Sequence, residues 1–121
     1  MRDSPFVGTV ADNLPPVELP YDTGVGHMLV GDEGAAVFVA FHERTEVAPH
    51  RHGAQWGVVI RGEMILDLDG EHIRVGPGEW YDIPAGVPHG AVVEAGTALI
   101  DVFADPDRFR AAKLDSQRRV I

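Results

Sequence analysis

The chain has 121 residues, room for one domain core and too few for two. Apolar residues make up 45% of it, with 14 Gly and 9 Pro, which argues against disorder and against a helical bundle and favours many short strands. A net charge of -9 argues against nucleic acid or an anionic membrane as partner, and the absence of cysteine excludes disulfides and thiolate metal sites.

The N-terminal segment, residues 1 to about 20, contains Pro5, Pro15 and Pro16 and little periodicity, so it is expected as an irregular arm laid over the domain. It has no apolar stretch of signal-peptide length. The longest apolar run, Ala35 to Phe41, is too short to span a bilayer, and a soluble cytoplasmic protein is expected.

From about residue 24 to residue 104 the chain reads as closely spaced strands: VGHMLV, AAVFVAFHERTEV, QWGVVI, EMILDLD, EHIRV, EWYDIP, HGAVVEA and TALIDVFA, each bounded by Gly, Pro or Asp. This is the pattern of a single all-β domain, a sandwich or barrel. A short C-terminal helix is expected over about 106–118, with Asp105 as N-cap, Pro106 at the first helical position and Asp107 in the first turn.

Two-residue hairpin turns at Arg61-Gly62 and Asp69-Gly70 would put Gln55, Gly57, Val59, Met64, Leu66, Leu68, Ile73 and Val75 on one face. That face is apolar except for Gln55. Gly53-Ala54 reads as a further turn, with Gly where a type II′ hairpin needs positive φ, so that His52 and Gln55 oppose each other. His50 lies two residues before His52 and points to the same side. Three candidate metal-binding side chains then gather at one end of an apolar interior, and imidazole nitrogen and amide oxygen both suit a divalent transition metal. The competing reading of His-x-His is two surface histidines on an edge strand.

A second segment weighs against the surface reading. In GEWYDIPAGVPHGAVV, Gly78, Pro84, Gly86 and His89 are spaced by five, one and two residues. Together with PHRH and the following Gln and IRGE, this segment resembles the two motifs of the cupin superfamily, across most of Phe38 to Phe103. The resemblance implies a double-stranded β-helix, or jelly-roll barrel, with a metal near one mouth. His50, His52 and His89 fall on the family's histidine ligands, and Gln55 falls where the family more often has a glutamate. The implied cofactor is a divalent ion, with Zn, Ni, Mn and Fe all compatible. Departures from the motifs are Arg44 in place of a leading glycine, a shortened loop between His52 and Gln55, and Val93 where asparagine is common. A neutral Gln55 would leave the ion's charge uncompensated, favouring an anionic or carbonyl ligand.

Asp101 shares strand parity with Thr97, Leu99 and Phe103, which would turn it inward; a solvent-facing Asp is the simpler alternative. Small cupins that convert ring-form unsaturated uronates into linear keto acids also use two His, a Gln and a later His, and carry an Asp-x-Phe that Asp101-Val102-Phe103 resembles. The expected function is therefore a metal-dependent isomerase or lyase acting on a small carbohydrate-derived carboxylate, with Asp101 moving a proton. An Fe(II) dioxygenase and a non-catalytic small-molecule sensor are the alternatives. Trp56, Val58 and Ile60 form an apolar row on the opposite face and point to a homodimer, unless the arm, through Phe6, Val7, Leu14 and Val17, covers them within one chain.

Overall fold

The computed structural model describes residues 4–111. Nine strands, β1 (Gly24–Val30), β2 (Ala35–Phe41), β3 (Thr45–His50), β4 (Gln55–Arg61), β5 (Met64–Leu68), β6 (Glu71–Val75), β7 (Trp80–Ile83), β8 (His89–Val93) and β9 (Ala98–Phe103), follow one another in chain order. They form two antiparallel sheets, ordered β1-β2-β9-β4-β7 and β3-β8-β5-β6. The all-β, double-stranded β-helix architecture expected from the resemblance is thus present.

Alternation sets the interior. Along β2, Val37, Val39 and Phe41 are 1–3% exposed, and along β9 Leu99 and Phe103 are each 3% exposed. From the facing sheet Met64, Leu66, Val75 and Val93 close against them, because every second residue of a strand points the same way. Asp69 (φ 52°) and Gly70 (φ 89°) make the expected two-residue turn, which sets Leu68 opposite Glu71. Positive φ at both central residues is the type I′ geometry whose twist matches the flanking strands.

Three expectations about how the strands connect are corrected. Arg61-Gly62 is not a hairpin turn: β4 and β5 belong to different sheets, and the chain crosses the barrel there. The inward faces survive the error because both strands look into the same interior; Val59, Met64 and Leu66 are all buried. Gly53-Ala54 is not a type II′ turn either, since Gly53 does not take positive φ and residues 51–54 carry the chain from one sheet to the other. AAVFVAFHERTEV is two strands, β2 and β3, again in different sheets.

The C-terminal helix expected over about 106–118 is absent from its described part. The Asp105 carboxylate accepts the Gly53 N–H at 2.8 Å instead of capping a helix, and the Arg108 N–H bonds the Asp105 carbonyl in a single turn. The chain then extends: Arg110 accepts from the Glu18 N–H at 3.0 Å, and Ala111 bridges to Val17. Residues 112–118 lie outside the described residues.

The N-terminal arm is irregular apart from a short 3-10 turn, Val10–Asn13, capped by Thr9. It runs beside β1 through a Pro16–His27 bridge, buries Val17 in the core and sets the Phe6 ring edge-on to Phe38 at 5.6 Å. Among the described residues, nothing covers much of the outer face of the five-stranded sheet. Trp56 is 40% exposed, Ile60 39% and Val102 42%, and Trp80 at its edge is 65% exposed. Among the described residues no helix is long and apolar enough to cross a membrane.

Candidate metal centre and cavity

The histidines meet because two strands and a crossover loop converge at one end of the barrel. His50, the last residue of β3, is the ladder partner of His89, the first residue of β8. His52 follows on the 51–54 crossover, so its approach is made by the chain passing between sheets and not by a hairpin with Gln55. The ring centroids stand 4.4 Å apart for His50 and His89, 4.8 Å for His52 and His89, and 5.1 Å for His50 and His52. One nitrogen from each lies within 4.8 Å of the others.

Each ring's Nδ1 lies against a main-chain carbonyl: His50 on Ala48 at 2.8 Å, His52 on Gly53 at 2.8 Å and His89 on Val87 at 2.9 Å. A carbonyl only accepts, so Nδ1 carries the proton in all three and Nε2 carries the lone pair. The Nε2 atoms of His52 and His89 are buried without a hydrogen-bond partner among the described residues. Two buried acceptors left bare beside a third imidazole are costly unless something binds them, and a divalent metal ion satisfies all three at once. Burial lowers the pKa of His52, opposed by its bond to Gly53 and assisted by the positive charge of Arg108 and the neighbouring imidazoles. It lowers that of His89 in the same way. Both effects keep the lone pairs free of protons, as ligation requires.

Beside this cluster is a cavity of about 660 Å³, a size suited to a small molecule. Gln55, 9% exposed, and Asp101 line the same cavity as the three histidines, so the inward parity of Thr97, Leu99, Asp101 and Phe103 is what the fold displays. Met64, Leu66 and Phe103 supply apolar wall.

Asp101 is held in an arrangement that sequence reasoning missed. Gly57 on β4 pairs with Tyr81 on one side and Asp101 on the other. A Cβ at Gly57 would overlap the Tyr81 phenol and the Asp101 carboxylate, so the glycine leaves a gap over which the two flanking side chains meet. There the Tyr81 hydroxyl donates to Asp101 Oδ1 at 2.5 Å. Burial pushes the Asp101 carboxyl up to about 6, against the opposing effects of its hydrogen bonds from Tyr81 and Gln55 and of the Arg108 charge. Burial also raises the Tyr81 phenol well above its ordinary value, with the Asp101 charge adding to the rise, so it stays a donor. An isolated glycine inside the strand QWGVVI was the available signal, since such a glycine often marks a close approach.

The turn after β9 adds Arg108 and Phe109 to the cavity wall, and Tyr21 enters from the end of the arm. The Arg108 guanidinium stacks on Phe109 at 4.4 Å and lies 5.6 Å from the Phe103 ring. Its Nε is buried without a partner among the described residues. Neither the arginine nor its placement was legible in a segment read as helical. His42 and His72 are exposed, and His27 is half-buried beneath the arm.

The chain matches the family described as Cupin domain over residues 37–103. Among solved structures it is similar to an RmlC-like cupin from Shewanella frigidimarina, at 31% identity with a TM-score of 0.69, covering 79% of this chain and 87% of that one. It is also similar to KdgF from Halomonas sp., at 26% identity with a TM-score of 0.65, covering 84% and 89%. Salicylate 1,2-dioxygenase from Pseudaminobacter salicylatoxidans shares the fold, at 20% identity with a TM-score of 0.64, covering 73% of this chain and 28% of that one. A search of curated proteins finds no match. The sequence match through both motif segments and the two-sheet barrel that carries them agree: this chain belongs to the cupin family.

Proposed function

We propose that the protein is a metal-dependent isomerase or lyase acting on a small carbohydrate-derived carboxylate. The observation that carries this reading is Asp101, an ionisable group facing the cavity that also contains the histidine cluster, with a carboxyl whose pKa of about 6 lets it both accept and release a proton near neutrality. His50, His52 and His89 would hold the ion, with Gln55 as fourth protein ligand through its amide oxygen. The ion supplies Lewis-acid polarisation of an oxygen on the ligand. Tyr81 donates to Asp101 Oδ1 and so orients the carboxylate that moves a proton. Arg108, a cation whose Nε has no partner among the described residues, fits a ligand carboxylate, and Met64, Leu66 and Phe103 give the site an apolar wall. The likeness to KdgF supports the same choice.

The test is turnover of a panel of unsaturated uronates and keto acids by chelator-treated protein reloaded with Zn, Ni, Mn or Fe, with and without oxygen. Oxygen-independent turnover is expected, falling by about 100-fold or more in Asp101→Asn with metal retained. Full activity in that variant would exclude the role of Asp101. Turnover that needs oxygen would favour an Fe(II) dioxygenase, and binding without turnover a sensor. We further propose that the open face containing Trp56, Ile60 and Val102 packs against a second copy as a two-fold homodimer, since a contiguous exposed apolar face that includes a Trp marks a contact surface.

A further inference from the structure

The loop that carries His52 is bonded at several points. The His52 carbonyl accepts from the Gly86 N–H at 2.8 Å, the Gly53 carbonyl from His52 Nδ1–H at 2.8 Å, and the Ala54 carbonyl from the Ala104 N–H at 2.9 Å. The Gly53 N–H is bonded as well, and its partner comes from 52 residues away: Asp105 Oδ2, at 2.8 Å. This is the loop's one bond to a charged side chain among the described residues. A backbone N–H to a carboxylate is a charge-assisted bond and among the stronger kinds a loop can make.

The fit is built on both sides. A Cβ at Gly53 would come within 2.5 Å of both Asp105 carboxylate oxygens, so the absence of a side chain at Gly53 is what lets the carboxylate seat there. Asp105 is itself fixed, because it follows directly on β9 and Ala104, whose N–H bonds Ala54, and because its own carbonyl accepts the Arg108 N–H at 3.1 Å. The peptide joining His52 to Gly53 is thereby clamped at both ends, its C=O by Gly86 and its N–H by Asp105. The next carbonyl along orients the imidazole through Nδ1. What this leaves pointing at His50 and His89 is the bare Nε2 of His52.

We infer that Asp105 is a positioning residue for the metal site: its carboxylate, through the Gly53 N–H, fixes the main chain from which His52 presents Nε2. The inference rests on the three histidines binding a metal, and it adds a residue that touches neither the ion nor a ligand. It also links the site to the cavity mouth, because the Asp105 that holds Gly53 starts the turn that carries Arg108. Groups that orient a ligating histidine from outside the coordination sphere are worth about 10–100-fold in metal affinity when removed.

The experiment is calorimetric titration of chelator-treated full-length protein with Ni²⁺, with thermal unfolding of each metal-free variant alongside. Asp105→Ala is expected to bind Ni²⁺ about 10-fold or more weakly, while Asp105→Asn, whose amide oxygen can still accept the Gly53 N–H, stays within about threefold of wild type. Gly53→Ala, which displaces the carboxylate from the other side, should match Asp105→Ala, and it decides the matter if Asp105→Ala does not fold. Asp107→Ala changes an exposed side chain of the same turn without touching the Gly53 bond and should leave the affinity near wild type. Wild-type affinity in a folded Asp105→Ala or Gly53→Ala, or an equal loss in Asp107→Ala, overturns the role of Asp105 and leaves the metal reading standing. Wild-type protein that takes up no Ni²⁺, Zn²⁺ or Mn²⁺ overturns the metal reading itself.

Discussion

Replacing Asp101 with asparagine tests the buried carboxylate by stability alone, with no substrate in hand. The amide keeps the side chain's shape and can still accept the Tyr81 hydroxyl, but it cannot ionise. In the folded protein burial raises the Asp101 pKa from 3.8 to about 6, so the folded state binds a proton more tightly than the unfolded chain. The stability associated with that proton is fully present below pH 3.8 and is lost as pH rises through about 6. A difference of about two pH units, at about 1.4 kcal/mol per unit, makes the ionised carboxylate cost about 3 kcal/mol above pH 7. Asparagine escapes that cost. Urea unfolding of the chelator-treated wild type and Asp101→Asn at pH 8 and pH 5 should therefore show the variant gaining on the wild type by about 1.4 kcal/mol between pH 5 and pH 8. Groups other than Asp101 are common to both proteins and cancel in the comparison. A stability gap that does not change with pH, or that widens toward acid, would show that the carboxylate is not buried beside Tyr81 in the way described.

His89→Ala should weaken Ni²⁺ binding by about 10-fold or more, whereas His72→Ala, on an exposed residue near Asp67, should not; equal losses would place the metal elsewhere. Because burial lowers the pKa of His52 and His89 below 6.5, Ni²⁺ uptake should persist at pH 6.5 and fall on further acidification, which a pH series of titrations checks. Gly57→Ala inserts a methyl group between the Tyr81 phenol and the Asp101 carboxylate and should destabilise by about 1–3 kcal/mol in thermal unfolding; an unchanged midpoint would mean the two do not meet over Gly57. Light scattering should find the native chain dimeric and Trp56→Glu monomeric, since the substitution sets a charge in the open apolar face; a native monomer refutes the dimer, and an unaffected dimer moves the contact away from Trp56.

The resemblance to the cupin motifs supplied His89 as the partner of His50 and His52. Alternation within strands was enough to determine the all-β class, the inward set from Gln55 to Val75 and the shared side of His50 and His52. These properties depend on a period of two and on residues near each other in the chain. Strand partners were not determined this way. A glycine turn looks the same whether the chain returns to its neighbour, as at Asp69-Gly70, or crosses to the facing sheet, as at Arg61-Gly62. Inward parity survived that ambiguity because either path leads into the same interior. The C-terminal helix did not survive it: Asp105 has the chemistry of an N-cap, yet its carboxylate bonds Gly53, a contact 52 residues distant that no local pattern encodes. The union of Tyr81 with Asp101 over Gly57, and the arrival of Arg108 at the cavity, were likewise decided only when the sheets closed, because each joins segments whose proximity is a property of the barrel.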